Sequence, residues 1–173
     1  MSFDFFYDVP TRITSNVEID ILNKDRKVEY QIQKYHRNIW QKLLALHFTT
    51  WFINVSLKDM NETKLEVAED IGVAKRKWKL NGLSELQGVI LTDTSKFKMS
   101  EKKLEFSYQG KQYLISKQTS SKQTSFYEGT DLIVVMEENS KTPPRTNYIT
   151  LEKESCLPIP TILTMLHLFE IGV

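Results

Sequence analysis

Cysteine, glycine and an excess of either charge are what this sequence lacks, and each shortage closes off a class of protein. Among 173 residues there is one cysteine, Cys156. No internal disulfide can form, which fits a reducing compartment. The six glycines build no phosphate-cradling loop and no Gly-x-Ser-x-Gly nucleophile elbow. Lys and Arg number 23 against 22 Asp and Glu, a net charge of +1, so no global field draws the chain to nucleic acid and any attraction must be local. The opening MSFDFFYDVP carries acids where a signal peptide has a basic region. A cytoplasmic location is expected, and the sequons Asn54-Val-Ser56 and Asn61-Glu-Thr63 then read as chance matches.

Metal and catalytic groupings are also missing. His36, His47 and His167 lie far apart, and Cys156 stands at no ligand spacing from any of them. No metal or cofactor is expected. His47, near Trp51, reads as a packed or bridging histidine. His167 and Glu170, three apart, suit a buried hydrogen-bonded pair on a helix, or a polar site in a lumen. Cys156 precedes a helix start, where the dipole can lower a thiol pKa, but no base is recognisable beside it. Glu69-Asp70 and Glu137-Glu138 are adjacent in sequence, so in strands each pair splits to opposite faces and makes a poor acid/base couple. The expectation is a protein that is not an enzyme.

What the sequence does have is alternation. Val17, Ile19 and Ile21 alternate with acids; after Asn23-Lys24-Asp25, so do Val28, Tyr30 and Ile32 with polar residues. Trp51 to Leu57, Leu65 with Val67, Trp78 with Leu80, and Leu86 to Leu91 around Gly88 continue the pattern. Gly88 suggests a bulge or close backbone approach. Leu104, Phe106 and Tyr108 turn at Gln109-Gly110-Lys111 into Tyr113 and Ile115, and Ser125–Glu128, Leu132–Met136 and Tyr148–Leu151 complete the series. These are about eleven or twelve short strands at the 8–12-residue spacing of a sandwich or barrel.

Residues 36 to 47, HRNIWQKLLALH, break the period and predict a short helix or irregular bridge. KQTSSKQTS at 117 to 125 repeats Lys-Gln-Thr-Ser and reads as a polar hairpin tip in preference to a modification tract. ENSKTPPRTN, 138 to 147, is a loop, since Pro143 and Pro144 forbid strand pairing.

The tail, LPIPTILTMLHLFEIGV at 157 to 173, is apolar around nearly its whole circumference. Pro158 and Pro160 suit a helix entry. A helix apolar all round must be buried in protein or lipid, and this one is short of the ~20 residues a bilayer span needs. A helix of about 13 residues is ~20 Å long, the height of a small barrel, and a barrel of a dozen strands has a lumen its own side chains cannot fill. The tail is therefore expected inside the barrel, in one domain spanning 1–173; a tail that docks on a partner protein is the other reading.

Strand number, this tail, and the runs WFINVSLKD (51–59) and AKRKWKLNGLSELQGVIL (74–91) together resemble the tubby C-terminal-like family, which takes in tubby proteins, phospholipid scramblases and the LURP-one-related family. The resemblance covers Val17 to Val173. It implies a mainly β fold, a closed antiparallel barrel of about twelve strands around a buried hydrophobic C-terminal helix. It also implies binding to phosphoinositides, as tubby domains do. No scramblase-type cysteine cluster, calcium loop or membrane anchor is present, so lipid scrambling is not carried over, and none of the family's lipid-contacting positions is transferred to this chain.

The candidate interaction surface is the run Ala74 to Leu80. In a strand, Lys75, Lys77 and Lys79 share one face, with Arg76, Trp78 and Leu80 on the other. Lys96, Lys98, Lys102 and Lys103 in a nearby connection extend the patch. Such a face suits an anionic lipid headgroup at ~1 kcal/mol per lysine; it also suits a strand edge kept from pairing. The expected role is a non-enzymatic binding or scaffold domain contacting anionic lipid or a protein partner, with no nucleic acid. The alternative is a carrier for a small apolar ligand in the barrel lumen or mouth.

Overall fold

Side chains of a strand alternate between faces, so the period-two pattern calls for a wall with one dry side. A computed structural model describes residues 3–10, 16–47, 52–72, 76–82, 85–95, 100–142 and 144–173. The described residues form twelve strands: β1 (Phe5–Val9), β2 (Ile19–Asn23), β3 (Val28–Tyr35), β4 (Asn54–Asp59), β5 (Lys64–Asp70), β6 (Lys77–Leu80), β7 (Ile90–Asp93), β8 (Glu101–Tyr108), β9 (Lys111–Gln118), β10 (Gln123–Glu128), β11 (Asp131–Glu138) and β12 (Arg145–Leu151). Helix α1 (Ile39–His47) separates β3 from β4, and α2 (Ile159–Gly172) follows β12. Each strand pairs antiparallel with its sequence neighbours, and β1 closes the ring on β12 with Phe5 opposite Ile149 and Val9 opposite Arg145.

Helix α2 fills the lumen. Thr161 to Phe169 are buried without interruption. The helix is met from several sides of the ring: His167 packs edge-on to Tyr7 of β1 with ring centroids 5.6 Å apart, Thr161 donates to Glu66 of β5 at 2.6 Å, and Gly172 lies against the Trp78 ring of β6. Pro158 stands at its N-cap with Pro160 in the first turn, where missing N–H groups go unneeded. The N–H of Val173 donates to the Phe169 carbonyl to close its far end. The tail is a plug.

Several details differ from the sequence reading. Strand β1 was not expected at all; its Phe5, Tyr7 and Val9 are buried, but outward Phe6 blurs the alternation. Val17, placed in the first strand, is 64% exposed and precedes β2. In β5 the inward residues are Glu66 and Ala68, both fully buried, whereas Leu65 and Val67 lie outward and only half-covered. The Thr161 hydroxyl waiting in the lumen explains how a carboxylate takes the inner position. Gly88 bears out the expected bulge: at φ 89° its N–H donates to the Leu80 carbonyl at 2.7 Å while Leu80 donates to the Val89 carbonyl at 2.9 Å, so two residues oppose one, and β7 begins only at Ile90. Helix α1 starts at Ile39, later than 36, capped by Asn38, whose side chain accepts from the Gln41 N–H at 2.9 Å.

One joint of the ring is thin. The β1–β2 ladder holds only at Phe5↔Asn23 and Phe6↔Leu22. Extending that register sets Asp8 against Asp20 and Pro10 against Glu18. Like charges directly opposite repel, and Pro has no N–H for a ladder. The strands part there around a groove of about 420 Å³ lined by Asp8, Val9, Pro10, Val17, Glu18 and Ile19 among others.

Candidate functional site

Strand β6 settles the orientation of the lysine run. Trp78 and Leu80 are fully buried while Lys77 and Lys79 are exposed. The inner face is held from two directions. The Trp78 indole N–H donates to the Ile53 carbonyl at 2.9 Å, and Arg76 donates to the Gly172 carbonyl at the end of α2. With the tryptophan locked inside, the two lysines must project outward about 7 Å apart. Lys79 lies between Glu69 of β5 and Ile90 of β7, and Lys77 beside Thr92. Among the described residues neither ammonium is in an ion pair.

The other expected members of the patch do not join them in the described structure. Lys75, Lys96 and Lys98 lie outside the described residues. Lys102 shares the inward side of β8 with Leu104 and Phe106, and its charge acts on Glu170 in the lumen. Lys103 pairs with Glu101 at 3.0 Å.

A second grouping, which the sequence reading missed, occupies the barrel mouth at the C-terminal end of α2. Glu170 is 3.7 Å from Lys117 of β9 and pairs with Arg145 of β12. Glu138 of β11 pairs with Lys117 and lies 3.9 Å from Arg145. Two acids and two bases thus neutralise one another, with both carboxylate side chains nearly buried. Burial raises the Glu170 pKa, and Lys117 and Arg145 pull it back. These cations, with Arg76, also face the negative end of the helix dipole. Beneath them Tyr7 donates to the Met136 sulfur and accepts from the Asn147 amide at 3.0 Å; its pKa is pushed up chiefly by burial. The suggested His167–Glu170 pair is replaced by these contacts: Nδ1 of His167 has no hydrogen-bond partner, and burial lowers its pKa to about 4.

Residues 5–173 match the family model described as the Tubby C-terminal like domain. The chain belongs to the tubby C-terminal-like family. The match starts ahead of Val17, taking in β1. No curated protein and no solved structure matches the chain. Tubby-like domains are generally non-enzymatic, and the barrel-and-plug architecture accords with a binding or scaffold domain. Among the described residues no helix is long and apolar enough to cross a membrane, and no acid, histidine or cysteine cluster is arranged to hold a metal ion.

At the opposite end of this tubby-like barrel, Cys156 has closer company than its sequence neighbours suggested. Its sulfur is 3.0 Å from the Tyr113 hydroxyl and 3.9 Å from Glu128, which also accepts from Ser155 at 3.0 Å and pairs with Lys111. Burial, first, and the neighbouring thiol and carboxylate push the Tyr113 pKa up. The set anchors residues 155 to 157 to the barrel floor where α2 begins. His47, expected to be packed, is exposed in the last turn of α1. The KQTSSKQTS repeat is a hairpin tip as expected, but Lys117 at its start and Thr124 near its end turn into the lumen. The 138–147 loop likewise gives up Glu138 to β11 and Arg145, Thr146 and Asn147 to β12.

Proposed function

We propose that this tubby-like domain is a non-enzymatic binding module that contacts anionic lipid headgroups through the outer face of β6, working as a cytoplasmic protein peripheral to a membrane. The observation that carries the reading is the pair Lys77 and Lys79, exposed and outside any described ion pair, on a strand whose inner face is clamped by Trp78 and Arg76. A fixed strand presents charge without losing much conformational freedom on binding. Lys75, Lys96 and Lys98 are the sequence-adjacent cations that would enlarge the patch. The alternative carrier role has less room, since α2 occupies the lumen.

The test is co-sedimentation with phosphatidylcholine vesicles, with and without phosphatidylserine. Two lysines at about 1 kcal/mol each make about a 30-fold preference. Lys77→Glu/Lys79→Glu should abolish the preference for the anionic vesicles while leaving the unfolding temperature nearly unchanged. Equal binding of native and variant protein to both vesicles would overturn the reading.

A further inference from the structure

Helix α1 turns large apolar side chains outward. Among the described side chains of its barrel-facing side, Ala45 is buried, and the Gln41 side chain accepts from the Asn54 amide at 3.2 Å and from the Arg37 N–H at 2.9 Å. Its outer side carries Ile39, Trp40, Leu43 and Leu44, exposed at 63, 71, 46 and 41%. Positions i, i+1, i+4 and i+5 of a helix form one face. Scattered exposed leucines need no account, but four large apolar side chains on one helical face mark an interaction surface.

The charge carried by the helix segment itself is of one sign. From Lys34 to His47 the sequence contains no Asp or Glu, while Arg37 and Lys42 flank the apolar stripe. The local field registers on His36, whose pKa is lowered by burial and then by Lys34 and Lys42. A second copy of the helix packed symmetrically would set cations against cations, so self-association does not suit it. An apolar face bearing tryptophan and leucine, edged by cations on a segment with no acid of its own, is the composition that lies in the headgroup boundary of an anionic bilayer.

The position agrees. Arg37 is 3.4 Å from Glu69, which also accepts from Tyr35 at 3.2 Å, and Glu69 lies across the ladder from Lys79. The exposed helix and the outward lysines of β6 therefore flank the same carboxylate, with half-exposed Ile71 at the adjoining strand end. We infer that α1 is a membrane-inserting element that seats Trp40 and Leu43 among the acyl chains of an anionic bilayer. The inference rests on the lipid reading of the β6 face and adds an apolar anchor to it.

The experiment uses the full chain with vesicles of phosphatidylcholine and phosphatidylserine, some made with brominated acyl chains, in a Trp51→Phe background. Trp78 is buried and reports no lipid contact, so quenching isolates Trp40. Insertion predicts quenching of roughly half the emission, and at least tenfold weaker binding for Trp40→Ser/Leu43→Ser relative to native, a difference that persists at high salt, where the lysine contribution is screened. Binding by that double variant equal to native, with no quenching, overturns the inference while Lys77→Glu/Lys79→Glu still reports on the lysine face. If the lysine variant binds like native and the helix variant does not, the anchor stands and the lysine reading falls. Absence of native binding overturns both, and a native oligomer that the helix variant dissociates overturns the anchor in favour of a protein contact.

Discussion

His167 is the residue whose surroundings differ most from what its sequence position promised. It is held neutral in the plug, against Tyr7, with its pKa brought down to about 4 by burial. The folded pKa lies below the unfolded value near 6.5, so the unfolded chain takes up the proton first. The stability this confers is complete above about pH 6.5 and drains away as pH falls through about 4, by up to about 3 kcal/mol. Urea unfolding of native protein and His167→Gln at pH 7 and pH 4.5 should show the native form losing more stability than the variant. Parallel pH curves would mean the imidazole is not sealed from water. This acid sensitivity is distinct from that of Glu170, which burial biases toward its protonated form.

Among the elements, the strands were legible wherever one face is cleanly apolar, as in Leu104, Phe106 and Tyr108 of β8 or Trp78 and Leu80 of β6. They were illegible where polar groups face inward. Glu66, Lys117 and Arg145 occupy lumen positions because α2 brings Thr161 and Glu170 to meet them, Glu138 follows by pairing with Lys117, and a single strand's pattern cannot announce a partner on another element. The lysine face was readable in orientation, since Trp78 had to go inward. The exposed side of α1 was not, because an apolar helical stripe ordinarily signals a core. The β1–β2 joint supports its own prediction. Replacing Asp20 with Asn keeps the acceptor that Gln31 uses at 2.8 Å and removes the repulsion with Asp8. The variant should gain about 0.5 kcal/mol and slow amide exchange at Tyr7 and Ile21; unchanged exchange would show that Pro10 alone parts the strands.

At the scale of the whole molecule, wall and plug have no separate existence. Ile162, Leu163, Met165, Leu166, Leu168 and Phe169 are all buried, and at about 1.5–3 kcal/mol each their gross contribution is on the order of the 5–15 kcal/mol that holds a domain folded. Removing residues 157–173 should abolish cooperative thermal unfolding; a truncated chain that still melts sharply would mean the ring is stable when hollow. The order of elements along the chain gives this dependence a further consequence. Because α2 lies downstream of all twelve described strands, a ribosome delivers the greasy inner lining before it delivers the helix that keeps that lining dry. Throughout synthesis the growing sheet therefore has the surface chemistry of a chaperone client, and its escape from aggregation is decided in the interval before the final helix arrives.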